Sequence, residues 1–352
     1  MAASETTTNK TDPGRFFEDY RIGETLRHAV PRTVSEADRT LYGALYPHRF
    51  ALGSSEMLAR ASGFQTRPLD DLAAFHIVFG KSVPDISRNA VANLGYAEGQ
   101  FLAPVYPGDT LSAASEVIGL RETSSGKTGV VWVRTTGTNH RGRPVLRYCR
   151  WVMVQKRDPE SPAPDPVVPD LAPAVAAESL VVPYGVHFRG YDRAASGSPH
   201  LWGDYAVGER IDHVDGHTIE DAEHMMATRL WQNTARVHFD SAARGGAARL
   251  VYGGHIISIA RALSVNGLAN AQLIAGINGG SHAAPSYAGD CIYAWSEVLD
   301  KAETTEPSAG ALRLRTVAVK NRPAAEYPLK TADGRYEDGV VLDFDYWVLM
   351  PR

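Results

Sequence analysis

Polar and apolar positions follow two rhythms along this chain, and the rhythms come in the same order in each half. Each half has a short hydroxyl- and acid-rich stretch, Ser35-Glu36-Ala37-Asp38 in the first and Thr218-Ile219-Glu220-Asp221 in the second. Such a stretch predicts a helix start, because side-chain oxygens there accept first-turn N–H groups that lack a carbonyl partner. A run of small and apolar residues follows. From Gly254 to Leu268, Ile256, Ile259, Ala260 and Leu263 recur at three- and four-residue spacing, which predicts a helix with one buried stripe. Beyond it the period falls to two. Val131–Thr135, Arg147–Val152, Leu312–Val317 and Leu342–Trp347 read as half-exposed strands. One central helix followed by antiparallel strands is an α+β pattern, with the helix laid on one sheet face.

The two halves also share words. Asp19-Tyr20-Arg21-Ile22-Gly23-Glu24 returns as Asp204-Tyr205-Ala206-Val207-Gly208-Glu209, and Ala103-Pro104-Val105-Tyr106-Pro107-Gly108-Asp109 as Ala284-Pro285-Ser286-Tyr287-Ala288-Gly289-Asp290. Ser115-Glu116-Val117 matches Ser296-Glu297-Val298, and Trp151-Val152-Met153 matches Trp347-Val348-Leu349. Matches in one order, with a small drift in spacing, indicate two copies of one domain. Between them, seven prolines in residues 157–183 predict an extended, semi-rigid connector. The expected organisation is therefore a first domain over 1–156, a linker over 157–183 and a second domain over 184–352.

Composition narrows the function classes. Of 352 residues, 44% are apolar and 22% charged, the proportions of a globular protein. The 36 Lys and Arg are outnumbered by 40 Asp and Glu, a net charge of −4, which disfavours nucleic acid as a partner. No apolar run approaches about 18 residues, so no membrane-spanning helix is expected. The polar N-terminus lacks the pattern of a signal peptide, and two cysteines, Cys149 and Cys291, are too few for a disulfide framework. These features point to the cytoplasm. Neither G-x-G-x-x-G after a first strand nor G-x-x-x-x-G-K-[ST] occurs, so dinucleotide and P-loop chemistry lack their fingerprints.

The phrase Pro104-Val105-Tyr106-Pro107-Gly108-Asp109-Thr110 and the segment Arg32–Asp38 resemble the MaoC-like dehydratases, which include R-specific enoyl-CoA hydratases. Gln232–Phe239, Leu250–His255 and Tyr293–Val298 are similar to one branch of that family, the mesaconyl-CoA hydratases or β-methylmalyl-CoA dehydratases. The resemblance implies two tandem hotdog domains, a pseudo-dimer in one chain, and a substrate arm held in the seam between them. It implies a hydro-lyase that interconverts mesaconyl-CoA and β-methylmalyl-CoA. Water is then the co-reactant, no metal or other cofactor is expected, the partner is the acyl-CoA thioester, and the assembly is a homo-oligomer.

In the family a His acts with an Asp five residues earlier, while a backbone amide at the start of the central helix polarises the thioester. The His maps onto His238. Tyr252-Gly253-Gly254 lies where the amide donor belongs, with Gly253 the first choice and Gly254 its neighbour. Glycine admits close approach of a ligand to the backbone, and N–H groups at a helix start favour developing negative charge. The chain departs from the pattern at Asn233, which stands where the Asp is expected. An amide cannot take a proton from water but can orient it. Whether Asn233 or Asp240 assists His238 stays open. Arg236 and Arg49 are candidates for pairing with a substrate carboxylate, because guanidinium groups bind carboxylates well. His255 and His282 are read as capping or lining residues. In the first copy His48 is the counterpart of His238, but Gly43 stands five residues before it, so that copy is read as non-catalytic and as shaping the tunnel. Two other readings remain: a hydratase for unbranched enoyl-CoA, and a non-catalytic acyl-CoA-binding module.

Overall fold

The computed structural model describes residues 10–47, 49–242 and 245–352. His48 lies outside the described residues. The first half supplies strands β1 (Thr25–Arg27), β2 (Arg32–Thr33), β3 (Ala90–Phe101), β4 (Thr110–Glu122), β5 (Thr128–Thr138) and β6 (Pro144–Gln155). The second supplies β7 (Arg210–Thr218), β8 (Leu273–Ser281), β9 (Cys291–Glu303), β10 (Ala309–Lys320) and β11 (Val340–Pro351). All join one antiparallel sheet in the order β1-β4-β5-β6-β3-β8-β11-β10-β9-β7, with β2 beside β4. Read outward from the middle, the two halves have the same strand order. They meet where β3 pairs with β8, Gly99 opposite Ile277 and Gln100 opposite Gly276. A Cβ on Gly99 would lie 2.7 Å from the Cβ of Ile277, so glycine lets these edges close.

The shared words prove to be shared structure. His28 Nε2 lies 2.7 Å from Ser115 Oγ, which lies 2.8 Å from Thr135 Oγ1; His213, Ser296 and Thr316 repeat the chain at 2.8 and 2.8 Å. Asp109 and Asp290 each accept the backbone N–H three residues earlier at 2.9 Å, fastening the turn that Gly108 and Gly289 make with positive φ.

One long helix of each half packs on its own sheet face: Asp71–Ile86 against β4, β5 and β6, and Gly253–Leu263 against β7, β9, β10 and β11. The expected helix over 254–268 is shorter than its pattern. It stops at Leu263, and Gly267 then takes φ +106° while its carbonyl accepts the Tyr205 hydroxyl at 2.7 Å. Nor does it carry a single buried stripe, since every residue from Gly254 to Arg261 is buried. Its far side rests on the first half, where two of its polar side chains find partners. Ser258 Oγ lies 2.8 Å from His76 Nε2, and His255 Nδ1 lies 2.8 Å from the Tyr46 hydroxyl.

The capped helix starts are present with one shift. Asp38 accepts the Ser35 backbone N–H at 2.7 Å at the head of helix Glu36–Leu45. The second helix begins at Asp221 with Glu220 as its cap, because Thr218 is taken by the β7 ladder opposite Cys291. On the strands read as half-exposed, the outer positions of β10 and β11 carry the ion pairs Arg313–Asp345 at 2.7 Å and Arg315–Asp343 at 3.2 Å, while Leu312 and Leu314 are fully buried. The proline-rich segment runs across the seam. Val167 bridges to Leu120 of β4, and Val175 donates its N–H to Asn278 Oδ1 at 2.8 Å and accepts Trp347 Nε1–H at 3.0 Å. No helix among the described residues is long and apolar enough to cross a membrane.

Buried imidazoles set a pH dependence. Burial pushes the pKa of His76 down to about 3 and those of His213 and His282 down to about 4. Unfolded histidines titrate near 6.5, so between about 4 and 6.5 the unfolded chain binds more protons, and stability falls as pH falls. Asp71, raised to about 8 by burial and by the charge of Asp70, pulls the other way. One carboxyl is outweighed by three imidazoles. The melting temperature is expected to drop as pH is lowered through this window, and a calorimetric profile that stays flat there would contradict the assignment.

Candidate active site

The seam encloses a cavity of about 290 Å³ with walls from both halves. The first half gives part of the helix Asp71–Ile86, the start of β3 and Arg150 of β6; the second gives the segments around His238 and Tyr252 and the loop after β8. Most of the lining is apolar, as in pockets that bury an organic ligand.

His238 closes a short 3-10 turn, Arg236–His238, and is only 8% exposed. Its Nδ1 lies 2.7 Å from the Leu250 carbonyl, which can only accept, so Nδ1 carries the proton and Nε2 is the basic nitrogen of the neutral ring. Its ring meets Tyr252 edge-on, centroids 5.8 Å apart. Asn233 reaches the same wall after Gln232, at φ +54°, turns the chain out of the helix Asp221–Leu230. The Asn233 Oδ1 accepts the Ala235 N–H at 3.0 Å, which fixes the amide and directs its NH2 group away from that bond.

Gly253 and Gly254 open the second central helix, with Tyr252 as a cap that offers no side-chain hydrogen bond. Their N–H groups have no carbonyl one turn back and stand as donors at the positive end of the helix. The two glycines differ in place. Gly253 lines the cavity, and a Cβ there would come 2.4 Å from Cε1 of His282. Gly254 lies under the Tyr252 ring, whose Cζ would be 2.4 Å from an added Cβ. Tyr252 lines the wall with its ring and places its hydroxyl 3.3 Å from His76 Nδ1. His282 lines it too, while His255 is buried in the helix packing away from it.

Arg236 and Asp240 are not buried like His238, and neither lines the cavity. With about three residues per turn, a 3-10 segment that faces His238 inward sends position 236 elsewhere. Arg49 is exposed as well. The guanidinium that does line the cavity is Arg150, fully buried. It donates to Ser82 Oγ at 2.9 Å and lies 4.3 Å from the Phe79 ring centroid. A signal for it existed in the sequence: Leu146, Tyr148, Arg150, Val152 and Val154 occupy alternate, inward positions of β6, and one of them is charged. Among the described residues no three His, Cys, Asp or Glu side chains gather as metal ligands do.

A helix on an antiparallel sheet, built twice and joined edge to edge around a seam cavity, defines a double hotdog protein. A Mycobacterium tuberculosis protein described as having that fold superimposes with a TM-score of 0.75 at 24% identity, covering 97% of this chain and 99% of that one. The chain belongs to the mesaconyl-CoA hydratase family, whose model matches residues 2–332. It is 63% identical over 343 residues to the mesaconyl-CoA hydratase of Cereibacter sphaeroides, covering 97% of this chain and 100% of that protein. It is 60% identical over 347 residues to the beta-methylmalyl-CoA dehydratase of Chloroflexus aurantiacus, covering 97% and 99%. The crystal structure of a MaoC domain protein dehydratase of Chloroflexus aurantiacus matches with a TM-score of 0.95 at 59% identity, covering 98% and 99%.

Proposed function

We propose that the protein is a hydro-lyase that reversibly adds water to mesaconyl-CoA, giving β-methylmalyl-CoA. One observation carries the reading: a basic imidazole nitrogen and the open first turn of a helix border the same largely apolar cavity. His238 Nε2 takes a proton from water as the water oxygen bonds to the β-carbon. The double-bond electrons move toward the thioester oxygen, where the Gly253 N–H, with Gly254 as the neighbouring alternative, holds the developing charge. The imidazolium then returns its proton to the α-carbon, so the sum is one water added across one double bond. Tyr252 orients the helix start and packs on the His238 ring, and Asn233 holds the water through its amide.

Asn233→Ala is expected to lower turnover by about 100-fold, the size of a lost polar contact to a reacting group. Unchanged turnover would move the assisting role to another residue, Asp240 being the one the sequence offers.

Loss of absorbance from the conjugated thioester tests the whole reading. Hydration of mesaconyl-CoA in preference to crotonyl-CoA supports it. The reverse preference would make the protein a hydratase for unbranched chains, binding without turnover would make it an acyl-CoA-binding module, and release of free thiol would make it a thioesterase. Two free cysteines suit a reducing, cytoplasmic setting, and the reading includes a homo-oligomer.

A further inference from the structure

The cavity wall holds more unsatisfied polarity than the hydration step uses. Nε and Nη1 of Arg150 are buried without a hydrogen-bond partner, as are both amide atoms of Asn93 and the hydroxyl of Ser286, and all three residues line the cavity. Arg150 reaches two hydroxyls, Ser82 at 2.9 Å and Ser87 at 3.4 Å, and pairs with no carboxylate among the described residues. Burial pushes its pKa down from the ordinary arginine value, and the titratable groups that act on its charge are tyrosines (Tyr148, Tyr96, Tyr252 and Tyr20). An unpaired buried cation is costly, and natural interiors satisfy such groups with a counter-ion or a ligand.

We infer that Arg150 receives the free carboxylate at the far end of the substrate's acyl chain, with Asn93 and Ser286 completing the polar pocket. The inference rests on the reading of the substrate as a dicarboxylic acyl-CoA. The two halves then divide the work, with the cation of the anion receptor on the first and the reacting groups on the second. The inference also selects among arginines, since Arg236 and Arg49 lie outside the cavity and Arg150 lies inside it. The phosphates of CoA are the other anions on such a ligand. A guanidinium with no exposed surface suits the buried acyl end of a long thioester better than its solvated nucleotide end.

Binding of two unreactive probes, succinyl-CoA and butyryl-CoA, measured by calorimetry, tests this without needing turnover. They carry the same CoA and differ in the terminal carboxylate. The wild-type protein should bind succinyl-CoA about 100-fold more tightly, and Arg150→Gln should erase that preference while leaving butyryl-CoA affinity unchanged. Arg150→Lys, which keeps a cation, should retain part of the preference, and it decides the matter should the glutamine variant not fold. Equal affinity of the wild type for both probes would overturn the inference. So would an equal loss for both probes in a folded variant, the result expected of a purely structural arginine or of one that binds CoA phosphate. In turnover, kcat/KM for mesaconyl-CoA should fall by about 1,000-fold in Arg150→Gln, because a site built around a polar group leaves its own donors unpaired when that contact is lost. A wild type that binds succinyl-CoA selectively yet does not hydrate mesaconyl-CoA would sink the hydratase reading and leave the arginine's role standing.

Discussion

His238→Ala is expected to remove about 10⁴-fold of the hydration rate, the upper end of what one positioned acid–base group supplies. The reason lies in the tautomer. Leu250 accepts a hydrogen bond from Nδ1 at 2.7 Å, so the ring presents its basic nitrogen at Nε2 in every neutral molecule. Alanine removes both the base and that anchor, and a loss could then reflect a shifted loop. His238→Asn separates the two effects, because an asparagine NH2 group can keep the bond to Leu250 while offering no base. Both variants should fold, and both should fail to consume mesaconyl-CoA. Substantial turnover in either one would remove His238 from the proton transfer.

The second large effect concerns a single backbone hydrogen. Gly253→Pro deletes the N–H proposed to hold the enolate oxygen, yet proline is well tolerated at the first position of a helix. The residue before it is already suitable: Tyr252 has φ −61° and ψ 126°, in the extended region that a pre-proline residue prefers. Gly253→Ala is the matched control. It keeps the N–H but shares the steric problem, since its Cβ would fall 2.4 Å from the His282 ring. Alanine alone is therefore expected to cost activity by displacing the ring or the helix start. The proline variant should lose about 100- to 1,000-fold more, the range for removal of one oxyanion donor. Equal rates in the two variants would place the donor elsewhere, with Gly254 the nearest alternative.

How much can be read from the residues differs from one feature to another. The duplication is legible because its words encode local contacts: the turn fastened by Asp109 recurs as the turn fastened by Asp290, and each needs only residues within a few positions. The start of the helix at Glu36 is legible for the same reason, as Ser35 and Asp38 satisfy each other. The helix around Ile256 is legible too, but its surroundings are not. A stripe at three- and four-residue spacing records the face toward its own sheet, whereas burial of Ser258 and His255 depends on His76 and Tyr46 arriving from the other half. The residues around His238 and Gly253 carry a resemblance strong enough to single them out, and both line the cavity. Arg236 is suggested by residue type alone, and residue type does not say which way a short turn faces.

From the residues alone come the repetition of an α+β unit within one chain, the helix starts at Glu36 and near Gly254, and the second-half residues to suspect. Those properties depend on neighbours along the chain. The pairing of the two sheets through β3 and β8, the cavity along that join, and the presence there of Arg150 without a counter-charge among the described residues follow from the assembled fold alone. These are consequences of which surfaces face each other across more than half the chain, and hydrophobic periodicity is the same whichever partner a buried face meets.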